Sequence, residues 1–293
     1  MSLTTPPDFS FTATVESHGW YALAPFRWSP KEKVLRRPEV IDGEVVDLEI
    51  VFQPVMTNGA LIVTGSGGDV ITPRLTRMFQ LDVDTSEFLA LARQSPAHAW
   101  AVEARFGRLL CGSTLFEDIV KIIATTNTTW AQTKRMVELL AQKCGRKSPT
   151  GHFAFPSAED VARFTEDELR RDCRLGYRAR AISQLVRGGF DLARIADPSQ
   201  TTEELFESYK TLPGIGPYGA AHLLAMDGRH DFIAVDTEFR RFVRQTYHRG
   251  RKVSDKTMLR RYAKWGRWKY LAYWSELWAS VADALHGRSG EDK

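Results

Sequence analysis

Cysteine is scarce in this sequence: three in 293 residues, at Cys111, Cys144 and Cys173, with no C-x-x-C pair among them. That excludes a four-thiolate zinc or iron–sulfur centre and a disulfide-built scaffold. An odd count without a secretion signal reads as reduced, structural thiols. Long apolar runs are also missing, so no membrane span is expected. Met1–Ser10 lacks the basic and apolar stretches of a signal peptide, so a cytoplasmic location is expected, nucleoid-associated in a bacterium. There are no repeats and no low-complexity stretch. The net charge is only +4, which by itself says nothing about partners.

The distribution of charge is more informative. Between Thr237 and Tyr270 stand twelve Lys and Arg residues against Glu238 and Asp255, an excess of ten positive charges in 34 residues. Aromatic side chains interleave with them: Phe239, Phe242, Tyr247, Tyr262, Trp265 and Trp268. A field of that density suits a phosphate backbone, with Arg240 and Arg244 as candidate contacts. The alternative is a solvated basic face.

Local patterning predicts an α+β fold that is mainly α. Residues 1–85 read as a small antiparallel sheet and 86–293 as a helical domain. Phe9–Glu16 alternates apolar and polar residues, Val45–Gln53 does so in part, and Ala60–Thr64 is β-branched. Turn residues separate them at Ile41-Asp42-Gly43, Thr57-Asn58-Gly59 and Gly65-Ser66-Gly67-Gly68. From Thr72 onward helical spacing takes over. Leu115, Ile119, Ile122 and Ile123 share a face, Trp130–Cys144 is amphipathic and closed by Gly145, and Gly188-Gly189 ends another helix. Thr165-x-x-Glu168 and Thr201-x-x-Glu204 read as capping boxes, and an aromatic helix over Trp268–Leu285 closes the chain. Roughly eight to ten helices are expected in all.

Two stretches carry candidate chemistry. Leu212-Pro213-Gly214-Ile215-Gly216-Pro217-Tyr218 joins a capped helix to a second one. Two glycines in such a turn allow positive φ and let a phosphate approach the amides that open the second helix. A plain interhelical turn is the alternative. Further on, Phe232-Ile233-Ala234-Val235 delivers Asp236 to a helix N-cap, ahead of Thr237-Glu238-Phe239. Asp is a favoured structural cap, and the same position suits catalysis, because helix-terminal amides favour the ionised carboxylate and aim it outward.

The hairpin, with Asp236 eighteen residues after Tyr218, resembles the signature of the helix-hairpin-helix DNA glycosylases. Leu75–Leu81, Phe155-Pro156-Ser157 and Arg260–Ala263 with Trp265 and Trp268 look like the bacterial 3-methyladenine branch. Thr125-Thr126-Asn127, Met136-Val137 and Gly176-Tyr177-Arg178-Ala179 are similar to the 8-oxoguanine branch. The resemblance implies an N-terminal antiparallel sheet and gives residues roles. Asp236 falls on the catalytic aspartate, and Gly214, Ile215 and Gly216 on the phosphate-holding hairpin. Tyr218 falls where bifunctional members carry the lyase lysine. Asn127 falls near the side chain that fills the gap left by a flipped base. Tyr218, His222, Tyr273 and Leu277 fall at or near the base pocket. His222 also reads as a packed helix histidine, and Trp265, Trp268, Trp274 and Trp278 as core.

The implied activity is monofunctional base excision: a damaged base, alkylated or oxidised, is flipped from duplex DNA and its N-glycosidic bond hydrolysed. A carboxylate would stabilise the cationic sugar, as in glycoside hydrolysis. A lyase needs an amine, which Tyr218 cannot supply. The rivals are a bifunctional glycosylase/lyase using an unrecognised lysine, such as Lys210, and a non-catalytic DNA-binding protein. Double-stranded DNA is the expected partner and a monomer the expected state. No metal site and no cofactor is expected, beyond a monovalent or structural cation at the hairpin.

Overall fold

The computed structural model describes residues 1–55, 59–65 and 68–287. The chain opens with a five-stranded antiparallel sheet in the order β1-β5-β4-β3-β2. Its strands are β1 (Ser2–Thr4), β2 (Arg27–Ser29), β3 (Val34–Ile41), β4 (Glu44–Pro54) and β5 (Gly59–Thr64). β3 and β4 pair from Leu35↔Ile50 to Ile41↔Glu44. Asp42 and Gly43, both left-handed at φ 49° and 85°, make the tight turn between them. The centres of the turns expected over 57–59 and 65–68 lie outside the described residues.

Phe9–Glu16 is not a strand. It contains the helix α1 (Phe11–Val15), which buries Phe11, Thr14 and Val15 on one side. Over five residues a spacing of three and four competes with alternation, and packing decides. β3 was invisible in the sequence because its inward face carries Arg37 and Glu39, both buried.

Helices follow in an unbroken series: α2 (Thr72–Phe79), α3 (Ser86–Ala92), α4 (Ala99–Glu103), α5 (Leu115–Thr125) and α6 (Trp130–Cys144). Then come α7 (Ala158–Ala162), α8 (Glu166–Asp172), α9 (Arg178–Arg187), α10 (Leu192–Ile195), α11 (Thr202–Lys210) and α12 (Pro217–Met226). The last three are α13 (Thr237–His248), α14 (Asp255–Arg260) and α15 (Lys269–Gly287). Among the described residues these fifteen exceed the eight to ten expected, because α1, α4, α7, α10 and α14 are too short to leave a periodic signature. The boxes at Thr165/Glu168 and Thr201/Glu204 both form. Gly145 ends α6 in an extended conformation, not a left-handed one. Glycine is needed there because a Cβ would stand 2.1 Å from the Ala154 carbonyl oxygen. Among the described residues no helix is long and apolar enough to cross a membrane.

Two apolar cores meet in this arrangement. One runs from the sheet through α2, α5, α6, α9 and α11. The other gathers α3, α4, α13 and α15, and α12 contributes to both. At the centre lies α5, whose expected apolar face is only part of the story. Every residue from Phe116 to Ala124 is buried, Glu117, Asp118 and Lys121 included.

Their charges are met by the surrounding elements. Arg37 of β3 donates to Glu117 at 2.9 Å and pairs with Glu39 at 2.7 Å, and Lys121 Nζ donates to Glu117 at 2.6 Å. Arg37 and Lys121 also lie over the Phe26 ring. Burial alone would raise the Glu117 pKa. The Arg37 and Lys121 charges overcome it and bring it down to about 2.

Removing one member of this cluster leaves its partners charged and dry. Glu117→Gln should cost about 3–5 kcal/mol in urea unfolding, the usual penalty for breaking a buried pair. A group with a depressed folded pKa stabilises fully above its unfolded value and loses that contribution as pH falls through the folded value. The wild type should keep the Glu117 contribution in full above the ordinary carboxylate range and lose it progressively as pH falls from there to about 2. A Glu117→Gln protein as stable as wild type would remove the cluster from the account.

Candidate active site

The hairpin joins α11 to α12. The Leu212 amide donates back to Tyr209 O and the Ile215 amide to Leu212 O, each at 3.1 Å, which closes the turn. Gly214 takes the left-handed conformation at φ 77° and packs against α9 and α5. A Cβ there would stand 2.8 Å from the Ala181 Cβ and 3.4 Å from Ile123. Gly216 differs from the expectation of two positive-φ glycines: its φ is −100°, and a Cβ would point into open space. Its use is as a bare N-cap. α12 starts with Gly216 in that position, no side-chain cap, and Pro217 at its first turn. The first-turn amides are therefore left for an outside acceptor, where the helix dipole favours an anion. Ile215 is buried beneath the turn and does not face outward.

Asp236 is the N-cap of α13. The Phe239 amide donates to its Oδ1 at 2.7 Å. The side chain is half-buried, and burial raises its pKa, opposed by the Phe239 amide. The cap was expected to hold the carboxylate firmly ionised. Desolvation instead outweighs the amides, and the carboxylate sits nearer its protonated form than an exposed aspartate. The same negative charge raises the phenol pKa values of Tyr218, Tyr270 and Tyr273, on top of their own burial. Tyr218 is pushed up to about 12. Hairpin, capped carboxylate and three phenols therefore form one site.

His222, one turn after Tyr218 on α12, is buried inside a ring cage. Its centroid lies 5.6 Å from Tyr218, 5.9 Å from Trp20, 5.9 Å from Tyr270, 6.0 Å from Trp274 and 6.2 Å from His18. Burial brings His18 down to about 3 and His222 to about 4, so both are neutral at physiological pH. His18 Nε2 lies 2.7 Å from Leu110 O and so carries the proton. Trp20 Nε1 donates to Asp118 at 2.8 Å, and Trp274 Nε1 donates to Ser17 O at 2.8 Å. His18, Trp20 and Tyr270 escaped sequence reasoning, and Trp274, read there as core, stands in the cage. Ser17–Trp20 lies two hundred residues from His222, with no local pattern to connect them. Tyr273 lies deeper, packed on Phe239 at 5.0 Å, and Leu277 is buried one turn further along α15. Trp265 and Trp268 are core, as read from the sequence.

Asn127 stands exposed in the left-handed conformation at the end of α5, φ 45°. It donates to Tyr177 Oη at 3.5 Å, and Tyr177 is itself 60% exposed. Arg178 binds the carbonyls of Thr126 and Asn127. Together with Arg135 and Arg174 these residues line a cavity of about 330 Å³. Arg240 is not a free cation: it grips Asp255 at 2.9 and 2.8 Å. Arg244 is half-buried on the same helix, with its Nε unpartnered. Lys210 is held by Glu207 at 2.7 Å.

A glycine-rich turn that exposes helix amides, followed by a capped and desolvated carboxylate, defines a helix-hairpin-helix protein built for a phosphate backbone. The HhH-GPD family, described as HhH-GPD superfamily base excision DNA repair protein, matches residues 120–267. The match covers half of the chain, and the chain belongs to this family. No curated protein matches the sequence. Among solved structures the chain is similar to the 3-methyladenine DNA-glycosylase from Archaeoglobus fulgidus. The TM-score is 0.76 at 18% identity, over 95% of this chain and 98% of that one. It is also similar to the Clostridium acetobutylicum 8-oxoguanine glycosylase/lyase bound to dsDNA containing cytosine opposite 8-oxoG. There the TM-score is 0.74 at 18% identity, over 97% of this chain and 98% of that one. At that identity the likeness is one of fold, and it spans both branches named from the motifs.

The two hairpin glycines separate by experiment. Gly214→Val should weaken DNA binding and lower the thermal midpoint together, because its Cβ meets Ala181. Gly216→Ala should lower the midpoint only by the small cost of alanine at an N-cap and weaken binding out of proportion to it, since its Cβ points into open space where an incoming phosphate would lie. Fluorescence anisotropy with a short duplex, beside a melting curve, reads both. Unaltered binding by Gly216→Ala would leave the hairpin a mere connector.

Proposed function

We propose that this protein is a monofunctional DNA glycosylase, acting as a monomer on duplex DNA and hydrolysing the N-glycosidic bond of a flipped, damaged base. The reading rests on one observation: a desolvated carboxylate, Asp236, at the N-cap of α13 beside the hairpin and three phenols. Leaving of the base puts positive charge on the sugar. A carboxylate with few waters around it stabilises that charge more than an exposed one. Asp236 also has an oxygen to orient the attacking water. Gly214–Gly216 and the first amides of α12 hold a phosphate, and Ile215 anchors the turn from beneath. Asn127 and Tyr177 enter the space the base leaves.

Two features support hydrolysis without a lyase step. Tyr218 occupies the place in the hairpin where a lyase amine is expected. Of the nearby lysines, Lys210 is engaged by Glu207 and Lys121 is fully buried against Glu117. The rings packed around His222 are neutral and electron-rich, and a base stacking against Tyr218 at their edge would gain most if it is electron-poor. A positively charged alkylated purine gains from such rings what a neutral oxidised guanine does not.

Incubation with duplexes carrying one lesion each, with the free base measured by mass spectrometry, tests this. Release should favour N-alkylated purines, leave an intact abasic strand, and give no covalent complex with borohydride. Efficient trapping would overturn the monofunctional reading, preferential release of 8-oxoguanine the alkylation reading. Release of no base at all would favour a non-catalytic binding protein. Asp236→Asn should keep the cap and bind DNA at least as tightly. Its single-turnover release should fall by roughly a hundredfold or more.

A further inference from the structure

Apart from the half-buried Arg244 and Lys269, the cations of the basic segment fall into two groups. Three are occupied: Arg240 by Asp255, Arg241 by Glu238 and Arg267 by Glu87. Seven are exposed and, among the described residues, have no carboxylate within 4.0 Å. Arg249, Arg251 and Lys252 lie in the loop after α13, Lys256 and Arg260 on α14, and Arg261 and Lys264 just beyond it. The one acidic side chain in that stretch, Asp255, is spent on Arg240.

Six of these lie beyond the C-terminal end of α13, away from the chemistry, while Lys256 adjoins Asp255, which reaches back to Arg240 near the start of the helix. Asp236 caps the N-terminus of this helix, and the basic loop leaves from its C-terminus, twelve residues on. At 1.5 Å per residue that separates them by about 18 Å along the axis. A cavity of about 440 Å³ opens at this far end. Arg260, Arg261, Lys264 and His248 stand around it. The Arg261 guanidinium carbon lies over the Tyr247 ring, 3.0 Å from its centroid, a cation–π contact that holds it in place. The carboxylate in the floor, Glu276, is already satisfied: Tyr262 donates to it at 2.8 Å and His98 lies 3.5 Å away. It makes no pair with the rim, and the rim keeps its positive charge.

We propose that this surface is a second nucleic-acid contact, which takes the phosphate backbone of undamaged duplex DNA independently of the hairpin and Asp236. The lesion site needs a flipped base and one precisely held phosphate. The rear surface needs neither. It offers unpaired charge on a loop and a short helix, with a pre-set Arg261 fork, which suits sequence-independent backbone binding. Its role is to hold the protein on DNA between lesions. Affinity for undamaged DNA and the rate of base release are then set at opposite ends of one helix. The inference rests on DNA binding alone and not on the role given to Asp236.

The test uses the full chain with Arg260→Glu, Arg261→Glu and Lys264→Glu combined. A milder pair, Arg251→Gln with Lys252→Gln, leaves the Tyr247 contact intact. Affinity for an undamaged duplex of about 30 base pairs, measured from low to physiological salt, should fall at least tenfold in the triple variant. The slope of log K against log salt should flatten by about three phosphate contacts, near 0.9 each. The milder pair should flatten it by about two. Single-turnover base release from a short lesion duplex at saturating protein should stay within about twofold of wild type. Unchanged affinity and slope in both variants would overturn the proposal and point to an acidic protein partner. A fall in short-duplex release matching the loss of affinity, with the fold intact, would also overturn it, because the surface would then belong to the lesion site. The affinity arm needs no base release, so it decides the matter even if the protein excises nothing.

Discussion

Everything near the site is registered against α5, a helix buried on all sides with three charges inside. Glu117 and Lys121 require Arg37 from β3, which ties the sheet to the helical core. Asp118, on the next residue, receives Trp20 Nε1, Arg77 and the Gly112 amide, each at 2.8 Å. That bond sets Trp20 against His222. The same helix presents Ile122 to Gly219 and Ile123 to Gly214, so the hairpin packs directly against it. Its last turn ends in Asn127. Sheet, ring cage, hairpin and Asn127 thus share one ruler. Burying charges on it is costly unless every partner is present, so the arrangement has little freedom to slip.

The site itself turns on a second tension. In the proposed reaction Asp236 would have to be dry enough for its charge to act on a sugar cation, yet ionised enough to have that charge. Burial pushes one way, and the Phe239 amide and the Arg240 charge push the other, with burial ahead. Arg240 is in turn anchored by Asp255, so it acts on Asp236 from a fixed position. The cage behind Tyr218 contributes no formal charge, since both its imidazoles are neutral. Asp236 and the oriented backbone amides dominate the local field.

Much of this was legible in the sequence where the signal is local. The capping boxes, the turn at Asp42-Gly43, the hairpin and the N-cap at Asp236 are each written within a few residues, and each forms. What stayed hidden is non-local. β3 left no strand signature because Arg37 and Glu39 point inward: Arg37 reaches Glu117 on α5, eighty residues away, and Glu39 receives Arg74 and Ser113. α1 read as a strand because five residues are too few for its period to show. The cage needed Ser17–Trp20 beside α12 and α15, a meeting dictated by Asp118 and Ser17, not by any motif. The basic segment was legible in amount but not in layout. Its pairing with Asp255, Glu238 and Glu87, which decides where free charge remains, exists only in three dimensions.

The central claim is that a desolvated Asp236 carboxylate drives base release. It is tested most directly by the pH dependence of single-turnover release at saturating protein. The active form is the ionised one, and its pKa is raised by burial. The wild-type rate should therefore fall, as pH decreases, through a single ionisation lying above the ordinary aspartate value. The slow residual rate of Asp236→Asn should lack that limb. The same limb in Asp236→Asn, or a wild-type rate flat across the acid range, would contradict the account.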